Sequence, residues 1–144
     1  MRAYLKLISL LLLFFQLPCL AQEEIRQYNL LMEVKGRELS GICVMKMISD
    51  TEVIGTVVNE FGLTAFDFEY KEGKTQLSNL PPVLNKWYFR KILQKDLSFF
   101  FSNLPLKQDL KKRSRKITFS PDGEIILKNN RFFIKYTFTP IIES

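Results

Sequence analysis

The chain has 144 residues, of which 47% are hydrophobic, and its formal net charge is +6. It contains no histidine, which excludes histidine general bases, nucleophile–histidine pairs and the usual zinc ligands. Nucleophile elbows, P-loops and nucleotide-binding glycine clusters are also missing from the sequence, so we expect neither an enzyme nor a bound cofactor or metal.

The N-terminal residues have the three parts of a secretory signal peptide. Arg2 and Lys6 precede an apolar run over 7–17, and Ala21 is a small residue suited to cleavage. The apolar run is too short to span a bilayer, which needs roughly 20 residues. We therefore predict a signal peptide at 1–21 that is cleaved after Ala21.

The remaining residues, 22–144, are expected to form a single exported domain, periplasmic or associated with the outer membrane. Acylation at Cys19 as a lipoprotein is the less favoured alternative, because Pro18 fits a lipobox badly. After cleavage Cys43 is the only cysteine, so no internal disulfide can form. It lies in an apolar run, which predicts a core residue rather than a nucleophile.

The first half of the domain alternates short β-type runs with tight turn signals. Apolar and polar residues alternate along several of these runs, as in strands with one buried face. The predicted strands are 27–34, 39–48, 52–58, 63–70 and 75–77.

The pattern changes at Pro81, after which apolar residues recur at spacings of three and four. This predicts an amphipathic helix from Pro82 to about Phe101 with a basic outer face, capped by Ser78 or Asn79. A basic connector over 107–116 then leads to a three-stranded meander, with predicted strands at 116–119, 124–128 and 131–139 and an Asn129-Asn130 turn.

These elements predict an α+β, mainly β fold. Every connection between strands is short, so the sheet is expected to be antiparallel. Its expected form is a curved half-barrel of about eight strands packed around one long amphipathic helix.

Three carboxylates, Glu60, Asp67 and Glu69, are expected near one another, because two share a strand face and the third lies in the preceding turn. Such a cluster suits a calcium site or a carboxylate hydrolase. A solvated strand face explains the same pattern, and we prefer it.

Basic residues are concentrated in the second half, with 13 Lys or Arg against 5 Asp or Glu after residue 80. Because we expect export, an anionic membrane surface or an envelope protein is the anticipated partner, and nucleic acid is not. Solvated loop charge is the alternative. The candidate residues are Lys86, Arg90, Lys91, Lys111, Lys112, Arg113 and Arg115.

Aromatic residues in the second half exceed what a small core requires, and they could line a cavity for a lipid or another apolar ligand. Core packing is the alternative explanation. The candidate ligand-binding residues are Trp87, Tyr88, Phe100 and Phe133.

Four segments carry a family resemblance: Leu39-Ser40-Gly41, Val44-Met45-Lys46-Met47, Val58-Asn59-Glu60-Phe61-Gly62 and Ala65-Phe66-Asp67-Phe68-Glu69-Tyr70. They resemble a family of small uncharacterised exported proteins of Gram-negative envelopes. That family is similar in layout to lipoprotein-localisation carriers and receptors, whose curved sheet encloses an apolar cavity plugged by a helix.

The resemblance brings no catalytic residues. It implies a non-enzymatic envelope protein that binds a lipid or another apolar ligand in a half-barrel. The alternative function is an accessory subunit of an envelope assembly that uses its basic surface.

Overall fold

A computed structural model describes residues 24–59, 64–82 and 84–142. The predicted signal peptide and Glu60 lie outside the described residues. The described chain contains nine strands and one helix of several turns. They are β1 (Glu24–Val34), β2 (Arg37–Ser49), β3 (Glu52–Val58), β4 (Thr64–Lys71), β5 (Lys74–Ser78), α1 (Trp87–Asn103), β6 (Leu110–Lys112), β7 (Arg115–Phe119), β8 (Ile125–Asn129) and β9 (Ile134–Pro140).

All nine strands form one antiparallel sheet in the order β5-β4-β3-β2-β1-β9-β8-β7-β6. Two meanders, β1–β5 and β6–β9, are joined where β1 pairs with β9. The sheet does not close, and α1 connects the two edge strands. The predicted mainly β fold, an open curved antiparallel sheet with one helix, is confirmed, with nine strands in place of about eight.

Alternation along the strands gives the sheet one buried face, against which α1 packs. Tyr28, Leu30 and Met32 of β1 are buried. Cys43 of β2 and Phe138 and Tyr136 of β9, which face them from the neighbouring strands, are also buried. The helix contributes Phe100, whose ring stacks on Phe138 of β9 with centroids 4.2 Å apart. The core therefore lies between α1 and the inner face of the sheet, and the opposite, outer face is open to solvent.

The helix begins five residues later than predicted. The carbonyl of Pro81 accepts hydrogen bonds from the backbone N–H groups of Leu84 and Asn85, each at 2.9 Å, which forms a turn instead of a first helical turn. Lys86 is extended, with φ −91° and ψ 137°, and gives no side-chain cap. The predicted caps were wrong, because Ser78 and Asn79 precede this turn.

The basic connector and the Asn129-Asn130 turn also differ from prediction. Residues 110–112 form β6, a short exposed edge strand without an alternating pattern. Asn129 is the last residue of β8 and is buried, and the turn occupies 130–133. The side-chain amide oxygen of Asn129 accepts hydrogen bonds from the backbone N–H groups of Arg131 and Phe132, at 3.2 and 3.3 Å, and these bonds hold the turn in place.

Candidate ligand-binding cavity

A cavity of about 850 Å³ opens between the N-terminal half of α1 and the end of the sheet formed by β1, β7 and β9. This volume is within the range of small-molecule sites, about 300–1,000 Å³. Half of its lining residues are apolar or aromatic: Val34, Trp87, Tyr88, Phe89, Ile92, Phe132 and Ile134.

The rest of the wall is strongly cationic. No Asp or Glu is among the described residues that line the cavity, so its potential is positive and attracts anions. The lining cations come from α1, from the β1–β2 turn, from the β6–β7 hairpin and from the β8–β9 turn. They are Lys35, Lys91, Lys95, Arg113, Arg115 and Arg131.

Arg115, at the start of β7, is fixed in place by a buried carboxylate. Its Nε donates a hydrogen bond of 2.7 Å to Oδ1 of Asp96, whose side chain has no exposure to solvent. The two terminal nitrogens of Arg115 make no hydrogen bond to any other described residue. Because the side chain is 21% exposed and lines the cavity, these nitrogens remain available for a ligand.

Two further side chains complete the coordination of Asp96. Asn129 Nδ2 donates to Oδ1 at 2.8 Å, and the hydroxyl of Tyr136 donates to Oδ2 at 2.7 Å. Burial raises the pKa of Tyr136 well above its ordinary value of 10.0, and the negative charge of Asp96 raises it further. Tyr136 is therefore a neutral hydrogen-bond donor. Arg115 balances the buried charge of Asp96, and both carboxylate oxygens of Asp96 accept hydrogen bonds.

The mouth of the cavity carries two exposed aromatic rings. Trp87 is 73% exposed and Tyr88 is 48% exposed, and the rings meet edge to face with centroids 5.9 Å apart. The ammonium of Lys91 lies 5.4 Å from the centre of the Trp87 ring, within the range of a cation–π contact. The mouth therefore offers apolar ring surface directly beside positive charge.

The structure brings together two of the four aromatic residues predicted to bind a ligand. Trp87 and Tyr88 line the cavity. Phe100 does not, because it has no exposure and is packed against Phe138 in the core. Phe133 lies outside the cavity in the β8–β9 turn, where it is 73% exposed.

The predicted basic residues are divided in the same way. Lys91, Arg113 and Arg115 line the cavity, whereas Lys86, Lys111 and Lys112 are exposed elsewhere.

Arg90 has a structural contact instead, because one of its terminal nitrogens donates to the carbonyl of Leu77 at 2.7 Å. It ties α1 to the edge strand β5.

Sequence reasoning missed Asp96, the residue on which this arrangement depends. A signal was present, because Asp96 lies three residues after Leu93 and four before Phe100 on the apolar side of the predicted helix. An acidic residue at such a position predicts a buried partner. Asn129 and Tyr136 carried no comparable signal.

Of the three carboxylates considered for metal binding or hydrolysis, only Asp67 and Glu69 are among the described residues, because Glu60 lies outside them. Asp67 and Glu69 lie on the outer face of β4, and Oδ2 of Asp67 accepts a hydrogen bond of 2.6 Å from Asn79. No group of three potential metal ligands occurs in the described part of the chain. Cys43 is a buried free thiol, as predicted, and burial raises its pKa from 9.0 to about 12.

Comparisons with known proteins assign no function to the cavity. No protein-family model matches the chain, and no curated protein is significantly similar to it. Across 24–59, 64–82 and 84–142, no helix has the length and apolar character needed to cross a membrane.

Proposed function

We propose that this protein is a non-enzymatic binding protein of the cell envelope whose cavity holds an amphiphilic anion, such as a lipid with an acidic headgroup. The observation that carries the proposal is the composition of the cavity wall. Apolar and aromatic side chains surround about 850 Å³, and six cations line the same space without a carboxylate among the described lining residues. An apolar ligand without charge would make no use of the positive potential of this wall.

Arg115 is the proposed anchor for the headgroup. A guanidinium forms paired hydrogen bonds with phosphate or carboxylate oxygens, and these bonds are strong because both partners are charged. The bond from its Nε to Asp96 fixes the direction in which its terminal nitrogens point. The ligand therefore meets a preorganised donor, which reduces the entropy lost on binding.

The hydrocarbon part of the ligand is placed along the helix side of the cavity. Trp87, Phe89 and Ile92 supply apolar surface there, and Phe132 and Ile134 supply it from the β8–β9 turn and the start of β9. Burial of each methylene group contributes about 0.8 kcal/mol. We also propose export, on the basis of the leader-like residues 1–21, and an envelope lipid as the natural ligand.

The experiment exploits Trp87, the only tryptophan in the chain, as a fluorescent reporter at the mouth of the cavity. Dodecyl phosphate and dodecyl maltoside, which share a hydrocarbon chain, are titrated below their micelle concentrations. We expect the phosphate to bind at least about tenfold more tightly, because charge-assisted hydrogen bonds contribute more than neutral ones.

Charge variants separate the cavity from the general charge of the protein. We expect Lys95→Gln with Arg113→Gln to reduce the preference for the phosphate, because both residues line the cavity. The matched control is Lys71→Gln with Lys74→Gln, which removes the same charge at the other end of the sheet. Equal binding of the two detergents, or an equal effect of the two double variants, would contradict the proposal.

A further inference from the structure

The outer face of the sheet carries a row of four lysines that faces away from the cavity. The register places Lys111 opposite Lys116, Lys116 opposite Lys128, and Lys128 opposite Lys135, so the four share one face of strands β6 to β9. Neighbouring strands are about 4.8 Å apart, so the row extends over about 14 Å. We call these four residues the lysine row.

The lysine row has little internal compensation for its charge. Like charges directly opposite each other on neighbouring strands are destabilising. Lys135 lies 3.8 Å from a carboxylate oxygen of Glu33. Lys111, Lys116 and Lys128 have no ion pair with any described residue. A lysine pair also occurs at the other end of the sheet, where Lys71 faces Lys74, but Lys71 there also faces Glu52.

An exposed aromatic ring lies at the Lys135 end of the lysine row. Phe133 is 73% exposed and has a φ of 56°, a backbone conformation that is unfavourable for a bulky residue. The turn that Asn129 holds in place accounts for this backbone conformation, but no packing covers the ring, which leaves it accessible to a ligand. The hollow of about 310 Å³ beside the ring is lined by Glu33, Lys35, Gly36, Arg37, Glu38 and Lys135.

We propose that the lysine row and Phe133 form a binding site for a linear acidic polysaccharide, lying across strands β6 to β9. Such a polymer carries a carboxylate on each sugar, so its charges repeat along a line as the lysines do. The face of the Phe133 ring offers apolar surface for the C–H face of one sugar. The lysine row is on the opposite face of the sheet from the cavity, although Lys35 of the β1–β2 turn lines both the cavity and the hollow beside Phe133. None of the four lysines of the row lines the cavity, so this proposal does not depend on the lipid proposal.

A polysaccharide fits this surface better than a single-stranded nucleic acid does. Proteins that bind single strands use several aromatic platforms for successive bases, whereas Phe133 is the one aromatic residue among the described residues that line the hollow at the end of the lysine row. The carboxylates of Glu33 and Glu38 also line the hollow. Their charge disfavours phosphates and carboxylates alike, but they accept hydrogen bonds from the hydroxyl groups of a sugar placed on the Phe133 ring.

The test measures the affinity of the purified protein for labelled oligogalacturonates of increasing length, with the fully methyl-esterified oligomers as uncharged controls. We expect affinity to rise steeply until the oligomer spans the four strands and slowly beyond that length. The methyl esters should not bind. Affinity should fall with increasing salt, because bound counterions are released from the polymer.

Three variants assign the binding to this surface. Lys116→Gln with Lys128→Gln should weaken binding roughly tenfold or more, since each lysine near an anionic surface contributes substantially. The matched control, Lys71→Gln with Lys74→Gln, should change affinity by less than about threefold, because screening limits the effect of distant charge. Phe133→Gly should weaken binding while the thermal midpoint is unchanged or raised, since glycine tolerates the positive φ.

Two results would overturn the proposal. Equal losses in the two double-lysine variants would show that only net charge matters. Tighter binding of oligothymidylate than of oligogalacturonate, with no effect of Phe133→Gly, would assign the lysine row to nucleic acid instead.

Discussion

Replacement of Asp96 by alanine should remove a large part of the stability of the domain. The change leaves Arg115 without its counter-charge, and breaking a buried ion pair in this way costs about 3–5 kcal/mol. The partial exposure of Arg115 favours the lower end of that range. Asn129 and Tyr136 also lose their acceptor, and each unsatisfied buried group costs about 1–3 kcal/mol. We expect a total loss of at least about 4 kcal/mol, against a typical stability of about 5–15 kcal/mol.

The assay is urea unfolding, followed by Trp87 fluorescence and by circular dichroism. Asp96→Asn preserves the side-chain volume and one acceptor oxygen, so we expect a smaller loss of about 1–3 kcal/mol. Glu69→Gln, on the exposed face of β4, is the control and should stay within about 0.5 kcal/mol of the unchanged protein. A loss below about 1 kcal/mol for Asp96→Ala would refute the claim that Asp96 joins α1 to β7, β8 and β9.

The free energy of unfolding should decline in alkaline solution. Burial raises the pKa of Cys43 to about 12 and the pKa of Tyr136 well above 10.0, so both groups keep their protons in the folded protein at a pH where the unfolded chain has lost them. The stabilisation by these two groups is therefore complete below about pH 9 and is lost as the pH rises toward 12. In Cys43→Ala the decrease of the unfolding free energy with pH, measured by unfolding titrations, should be less steep by up to about 1.4 kcal/mol per pH unit. Gly55→Ala should lower the free energy of unfolding by about 1–3 kcal/mol or more, because the added methyl group would collide with the Phe68 ring and the carbonyl of Val44. An unchanged thermal midpoint for Gly55→Ala would contradict the close packing of the Phe68 ring of β4 against Gly55 of β3.

The sheet could be predicted because its signals are local. In β1 and β4 the alternation of buried and exposed residues is visible within a few positions, and the turns between the strands contain glycine or polar residues. The start of α1 could not be predicted in the same way. Pro81 is compatible with a first helical turn, and the competing turn that it closes at Leu84 and Asn85 has no distinct sequence pattern.

The coordination of Asp96 beside the cavity could not be predicted from local sequence patterns. Arg115, Asn129 and Tyr136 are 19, 33 and 40 residues from Asp96, and only the register of β7, β8 and β9 brings them together. The lysine row has the same origin. Lys111 and Lys116 appear in the sequence within the basic connector, Lys128 and Lys135 appear in two later predicted strands, and cross-strand pairing alone aligns the four.

The central pairing of β1 with β9 has a consequence for biosynthesis. Val34 pairs with Ile134 and Tyr28 with Pro140, so the first described strand acquires its second neighbour only from the last described strand. Until β9 has been synthesised, the chain can complete the β1–β5 meander but cannot complete the sheet. A truncation before β9 would therefore expose an edge in the middle of the sheet rather than shorten its margin.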